Sequence, residues 1–336
     1  MKNPLRKLFH KKASNSTTTI ADDFFWACGV LSMGQNTILQ DYFLKNNMPE
    51  KIAKLKEGFD EESRSNIDRY LHRMLTLPDF KISKNYRIRR EFLESFQTER
   101  EKDLTAQFFQ NLPQYKTDVV LNKDEYNPDT FLFHHGLYFQ NDKLKKYIAG
   151  KDFIDGGAYI GDSAIMLNKH YNPKKVWSFE ISKKNASLYK ENLDNNNIAK
   201  DKYALVDMGL GKLKCSLLID DIGGQGANIL CQGDSEIKIT DIDSFVKENS
   251  LQVGFIKSDV EGVGLDALEG MAETIQKHRP VLCLAIYHNP TEFFDMPPRV
   301  REICGGEYEI MITQLHPFYD CNNEIVIFAY PKELDQ

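Results

Sequence analysis

At 336 residues, with 41% hydrophobic and 27% charged residues, the chain is long enough for one large domain with an appendage or for two domains, and its balance is that of a globular protein. A formal net charge of −6 argues against a nucleic-acid partner, which would need clustered Lys and Arg to neutralise phosphates. The cysteines at 28, 215, 231, 283, 304 and 321 form no C-x-x-C pair and no zinc spacing, so they read as reduced structural thiols of a cytoplasmic protein.

Met1 to Lys12 is basic, but polar Ser14 to Thr19 follows where a secretory leader would place its apolar core. The run Phe24 to Met33 is too short to cross a bilayer, so no integral membrane segment is expected. Ile52, Leu55 and Phe59 recur at helical spacing, as do Ile67, Tyr70, Leu71 and Met74, and Leu77-Pro78 marks a break. Ile88, Phe92, Phe96, Phe108 and Phe109 form an aromatic stripe that reads as core or as a subunit contact, which leaves a homodimer open. Residues 1–125 are therefore expected to be a mainly helical region, for dimerisation or as a substrate cap. The polar, turn-prone Asn122 to Asp129 is the expected boundary to a second domain, 126–336.

That domain is expected to open on an extended strand, Phe131 to Leu137. On a strand the adjacent His134 and His135 would point to opposite faces, structural or lining a substrate entrance rather than binding metal. After a helix over Asn141 to Ala149 comes the most informative stretch, Lys151 to Ser163. An apolar run ends in Asp155, Gly156 and Gly157 follow at once, then Ala158, then Gly161, and a helix starts. This is a strand, a tight turn and a helix N-terminus: a ligand cradle. No Lys-Ser/Thr follows the glycines, so the phosphate clamp of a P-loop is missing, and Ala158 stands where a dinucleotide fingerprint wants glycine. Asp155 would repel a pyrophosphate but suits a cation, such as the ammonium and sulfonium of S-adenosylmethionine (SAM). The next strand, Val176 to Glu180, ends in an acid placed to accept ribose hydroxyls, a device that NAD-binding domains share.

Strand and helix alternate from there, with further strands at Ala204 to Leu210, Val253 to Ser258, Val281 to Tyr287, Tyr308 to Leu315 and Glu324 to Tyr330. The last two suit an antiparallel pair, giving an α/β, doubly wound, Rossmann-like fold with a mixed seven-stranded sheet. A separate hairpin is expected at Leu213 to Ile219 and Ile237 to Ile239, around Gly223 to Gly226. Ligands of such sheets meet at the carboxyl ends of the strands. That rule selects Met208 as a face for adenine or as plain core, and Asp259, Glu261, His288 and His316 as acceptor-side groups. Asp259 is the first choice to orient or deprotonate an acceptor hydroxyl, with a helix cap as its other role. Glu261 fits a substrate-side acid, and His288 a general base near neutral pH. The three could together ligate a hard divalent cation if their side chains converged, but no metal is assigned.

DGGAYIGDS, SFEISKKNASLYKENLDNNN, ITDIDSFV, GFIKSDVEGVGLDALEGM and RPVLCLAIYH occur in this order. Across about residues 130 to 330 the series resembles the FkbM family of SAM-dependent methyltransferases. The family often has proline where this chain has Ile181, and its first turn more often reads Asp-Ile-Gly-Ala where this chain has Asp155-Gly156-Gly157-Ala158. The resemblance implies a class I methyltransferase fold and SAM as cofactor, with Asp155 to Gly161 at its methionine portion and Glu180 at its ribose. It also implies O-methylation of a sugar, glycan or secondary-metabolite hydroxyl. The alternatives are an NAD-dependent oxidoreductase, or a non-catalytic interaction protein that kept the fold.

Overall fold

The computed structural model describes residues 24–26, 35–76, 87–89, 97–219, 235–316 and 324–335. The leader region, the Leu77-Pro78 break, Phe92, Phe96, the Gly223 to Gly226 loop and most of the connection after His316 lie outside the described residues.

β1 (Phe24–Trp26) is followed by α1 (Gln35–Lys45), α2 (Met48–Lys56) and α3 (Glu61–Thr76), and β1 pairs antiparallel with β2 (Arg87–Arg89). The helical spacing read from the sequence is the buried stripe: Leu55 on α2, and Ile67, Tyr70, Leu71 and Met74 on α3, are all shielded from water. α4 (Glu99–Asp118) begins with a capping box in which the Thr98 side chain accepts from Glu101 N and Glu101 accepts from Thr98 N. Glu101 is also paired at 2.6 Å with Arg73 of α3, itself 1% exposed, so cap and ion pair tie α4 to α3.

The expected strand at Phe131 to Leu137 is absent. α5 (Pro128–Phe131) runs instead into a tight series of turns in which His134, His135 and Gly136 all have positive φ. Both imidazoles are buried, His134 Nδ1 2.8 Å from the Tyr171 hydroxyl and His135 Nε2 2.9 Å from Ser163 Oγ, so these hydrogen bonds hold the turn in place of a strand ladder.

α6 (Asp142–Ile148), capped by Asn141, leads to β3 (Asp152–Gly156), α7 (Asp162–Tyr171), β4 (Lys175–Phe179), α8 (Lys183–Asn195) and β5 (Tyr203–Val206). The strand expected to run to Leu210 breaks at Asp207-Met208. Its second part is β6 (Gly209–Leu210), which joins β7 (Cys215–Ile219) and β8 (Ser235–Thr240) in a three-stranded sheet containing the expected hairpin. α9 (Ile242–Glu248), β9 (Val253–Ser258), α10 (Gly264–Glu269), α11 (Ala272–His278), β10 (Val281–Ala285), α12 (Pro290–Cys304), β11 (Tyr308–Gln314) and β12 (Ile325–Pro331) complete the fold.

The main sheet has seven strands in the order β11-β12-β10-β9-β3-β4-β5, with β12 antiparallel to both neighbours and the others parallel. This is the mixed seven-stranded sheet expected from the sequence. Its strands β3, β9, β10 and β12 are buried on both faces, and side chains alternate between two cores. On β12, Ile325, Ile327 and Ala329 face one core while Val326, Phe328 and Tyr330 face the other. The first core also holds Leu39, Leu55, Ile67, Tyr70 and Met74, so the N-terminal helices close one face of the sheet beside α12.

Candidate active site

Successive parallel strands β10, β9, β3 and β4 deliver Tyr287 and His288, Asp259 and Glu261, the glycine turn, and Glu180 to one edge of the sheet. The turn is as tight as its composition suggested. Gly157 has a φ of +75°, and a Cβ there would lie 1.9 Å from the Asp259 carbonyl oxygen, so only glycine lets the two strand ends approach. Gly157 N and Ala158 N both donate to Phe179 O, and Gly161, also left-handed, starts α7.

Asp155 is fully buried under this turn. Its Oδ2 accepts from Ser178 Oγ, and its Oδ1 has no hydrogen bond but lies 3.4 Å from Lys257 Nζ. Lys257 in turn donates to Gly157 O at 2.8 Å and Gly156 O at 3.2 Å. Burial would strip its proton, but Asp155, Asp259 and Asp162 raise its pKa above the ordinary lysine value, so a charged ammonium clamps the turn. Glu180 accepts from Ser182 N at 2.7 Å and Tyr159 N at 2.8 Å, and Asn185 also bonds to it. Burial lifts its pKa against the pull of these bonds. Met208 is half-buried against the first core just past β5.

The acceptor-side groups converge. His288 Nε2 lies 2.9 Å from Asp259 Oδ1 and 3.9 Å from Glu261 Oε2, while His288 Nδ1 lies 3.0 Å from Glu292 Oε2. Asp259 does not cap the following helix, whose N-cap is Val263. Burial alone would raise the Asp259 pKa, but His288, Lys257 and Tyr287 bring it down to about 2. For Glu261, burial and the neighbouring charge of Asp259 outweigh the pull of His288 and Lys257 and push its pKa up to about 7. Burial would lower the His288 pKa, yet Asp259 and Glu292 hold it well above the ordinary histidine value. The imidazole is thus an imidazolium at neutral pH, not the free base its ordinary pKa suggested.

The Tyr287 hydroxyl lies 3.2 Å from Asp259 Oδ2 and 3.0 Å from Glu324 Oε1, and one phenolic proton cannot serve two carboxylates. Burial, with the charges of Asp129 and Asp259, raises the Glu324 pKa well above the usual range, so a protonated Glu324 can donate to Tyr287, which donates to Asp259. His316 lies just past β11, which is two strands from β10, and burial lowers its pKa to about 4.

Lys257, Tyr287, Glu292 and Glu324 are the site residues that sequence reasoning missed. A lysine inside the apolar strand Gly254 to Ser258 and a glutamate four residues after His288 were the available signals. Among the described residues no group of three His, Cys, Asp or Glu side chains could hold a metal ion, and no helix is long and apolar enough to cross a membrane.

Residues 155–310 match the family described as the methyltransferase FkbM domain. Among solved structures, the chain is similar to methyltransferase FkbM from Methylobacillus flagellatus KT, with 19% identity and a TM-score of 0.55 over 88% of this chain and 60% of that one. It therefore spans about 60% of that protein's length. An O-methyltransferase from Bacillus cereus in complex with SAH is matched at 13% identity and a TM-score of 0.39, over 71% of this chain and 100% of that one. An rRNA methylase from Streptococcus thermophilus is matched at 14% identity and a TM-score of 0.35, over 57% and 92%. The likeness to the Methylobacillus flagellatus protein is one of fold alone. A comparison with the curated proteins gives no match.

Proposed function

We propose, from the match of residues 155–310 to the methyltransferase FkbM domain, that the protein transfers the methyl group of SAM to a hydroxyl of a sugar, glycan or secondary metabolite. SAM supplies, when bound, a methyl carbon activated by a neighbouring sulfonium. The residues at the turn fit such a ligand: the glycine turn admits close approach, and Glu180 stands at the neighbouring strand tip, where its carboxylate could meet a ribose hydroxyl. Asp155 fits as the group that fixes Lys257 beneath the turn, Gly156 to Gly161 as the contact surface for the methionine portion, and Met208 as an apolar face beside the base.

The observation that carries the acceptor side is the cluster of Asp259, Glu261 and His288 at the strand ends facing the turn. A hydroxyl nucleophile gains from a base whose pKa lies near the working pH. Glu261, at about 7 and a third exposed, suits that task better than Asp259, at about 2. The Glu261 carboxylate would take the hydroxyl proton as the oxygen displaces sulfur at the methyl carbon, with S-adenosylhomocysteine leaving, while ionised Asp259 orients His288 and the acceptor. Leu39, Tyr70 and Met74 of the N-terminal helices line a crevice with His288, which supports the first third of the chain as a substrate cap.

Calorimetric titration with SAM and with NAD separates this reading from an oxidoreductase: SAM binding is expected, and NAD binding without SAM binding would end the proposal. Incubation with methyl-labelled SAM and a panel of glycans, read by mass spectrometry, should give a gain of one methyl that Asp259→Ala abolishes. SAM binding with no transfer to any hydroxyl of the panel would remove the O-methyl part of the reading.

A further inference from the structure

Glu292 lies one helical turn beyond His288 and is 1% exposed. Both its oxygens are committed: Oε2 lies 3.0 Å from His288 Nδ1, and Oε1 accepts from Gly264 N at 2.7 Å. Its position is fixed from the other side as well. Asn289, the N-cap of α12, accepts from Glu292 N at 2.9 Å and donates through Nδ2 to Gly262 O at 3.1 Å. A carboxylate held this rigidly against Nδ1 keeps a proton on that nitrogen and sets the plane of the ring.

The other ring nitrogen faces two acids. His288 Nε2 is buried and ion-paired with Asp259 Oδ1 at 2.9 Å, with Glu261 Oε2 3.9 Å away, but it is not well directed at either oxygen. The groups around the ring are Asp259 and Glu261 from the loop after β9, Tyr287 from its own strand end with ring centroids 4.2 Å apart, and Glu292 from α12. Tyr70 of α3 lines the adjoining crevice. The nearest buried cation, Lys257, acts on this cluster through Asp259.

We infer that Glu292 is a positioning residue that keeps His288 doubly protonated, so that its Nε2–H donates to the acceptor oxygen while Glu261 takes the acceptor's proton. The inference rests on the methyl-transfer reading for the identity of the acceptor, but not for the state of the ring. A fixed cationic donor at that oxygen stabilises the negative charge that develops as the proton leaves, which is what a weakly basic carboxylate needs from its surroundings.

The test uses histidine-labelled full-length protein and nitrogen-resolved NMR without substrate. His288 should carry protons on both nitrogens at pH 7.5, and a neutral ring there would overturn the inference on the unmodified protein. In Glu292→Gln the ring should titrate at least about one pH unit lower, with affinity for S-adenosylhomocysteine within about twofold of wild type. Its kcat should fall roughly 10- to 100-fold, with the alkaline limb of the rate profile moved to lower pH. A kcat loss with an unmoved profile, or a ring that titrates alike in both proteins, would leave Glu292 only a structural role. Failure of the wild type to bind S-adenosylhomocysteine would count against methyl transfer and leave the NMR result standing by itself.

Discussion

Replacing Gly157 by alanine tests the turn most directly. A left-handed φ of +75° alone costs an L-residue about 1–2 kcal/mol. The steric part is larger, because the new Cβ would sit 1.9 Å from the Asp259 carbonyl oxygen, far inside contact distance. Turn and strand end must part by about 1 Å, and forced repacking of this kind costs about 1–3 kcal/mol. The total is roughly 2–5 kcal/mol. For a chain this long each kcal/mol lowers the melting temperature by about 1.5–2 °C, so a drop of roughly 3–10 °C is expected. The functional loss should exceed it, since Asp259 N also donates to Gly156 O across the same junction and a displacement of about 1 Å costs on the order of 100-fold in rate. Scanning calorimetry and titration with S-adenosylhomocysteine read both effects. A variant that melts and binds like wild type would refute the argument that glycine identity here sets the site.

Glu261→Gln should lower kcat by about 10²- to 10⁴-fold while leaving S-adenosylhomocysteine binding intact, and the wild-type rate should rise with pH through about 7, because the base must be deprotonated. A wild-type rate that is flat between pH 6 and 8 would exclude Glu261 as the base. Asp162, buried near Asp129, has a pKa raised by burial and by that neighbour from 3.8 to about 7. A raised folded-state pKa means that its contribution to stability is complete below the unfolded value and is lost as pH rises through about 7. Asp162→Asn escapes that loss, so its stability relative to wild type should climb between pH 5 and 8 by on the order of 2 kcal/mol, read as a rising difference in melting temperature. An unchanging difference across that range would contradict the burial argument.

What the chain disclosed in advance was what local chemistry dictates. The Asp155 to Gly161 turn was legible because the residue types that permit it are few, and Glu180 because an acid at a strand tip is a local pattern. That the sheet is mixed and seven-stranded was accessible only through the alternation of elements and the family resemblance, and the order of its strands was not read at all. His134 and His135 were misread as strand residues, since nothing in the sequence announces left-handed histidines that lean on Tyr171 and Ser163. Asp207 looked like strand interior until β6 proved to belong to another sheet. Glu292, Tyr287 and Glu324 take their meaning from groups on other elements, so spacing could bring the eye to Asp259 and His288 but not to the carboxylates that set their charge.

One consequence follows from how α12 is lodged. The helix whose first turn carries Glu292 presses Phe293 and Phe294 against Tyr70 and Tyr42 of the amino-terminal helices, with ring centroids 4.6 and 5.4 Å apart. The leading third of the polypeptide is therefore no detachable accessory. Pruning it would wet two phenylalanines and unseat the carboxylate behind the imidazole, so a shortened protein should lose the pairing of His288 with Glu292 even where the Asp155 to Gly161 turn survives.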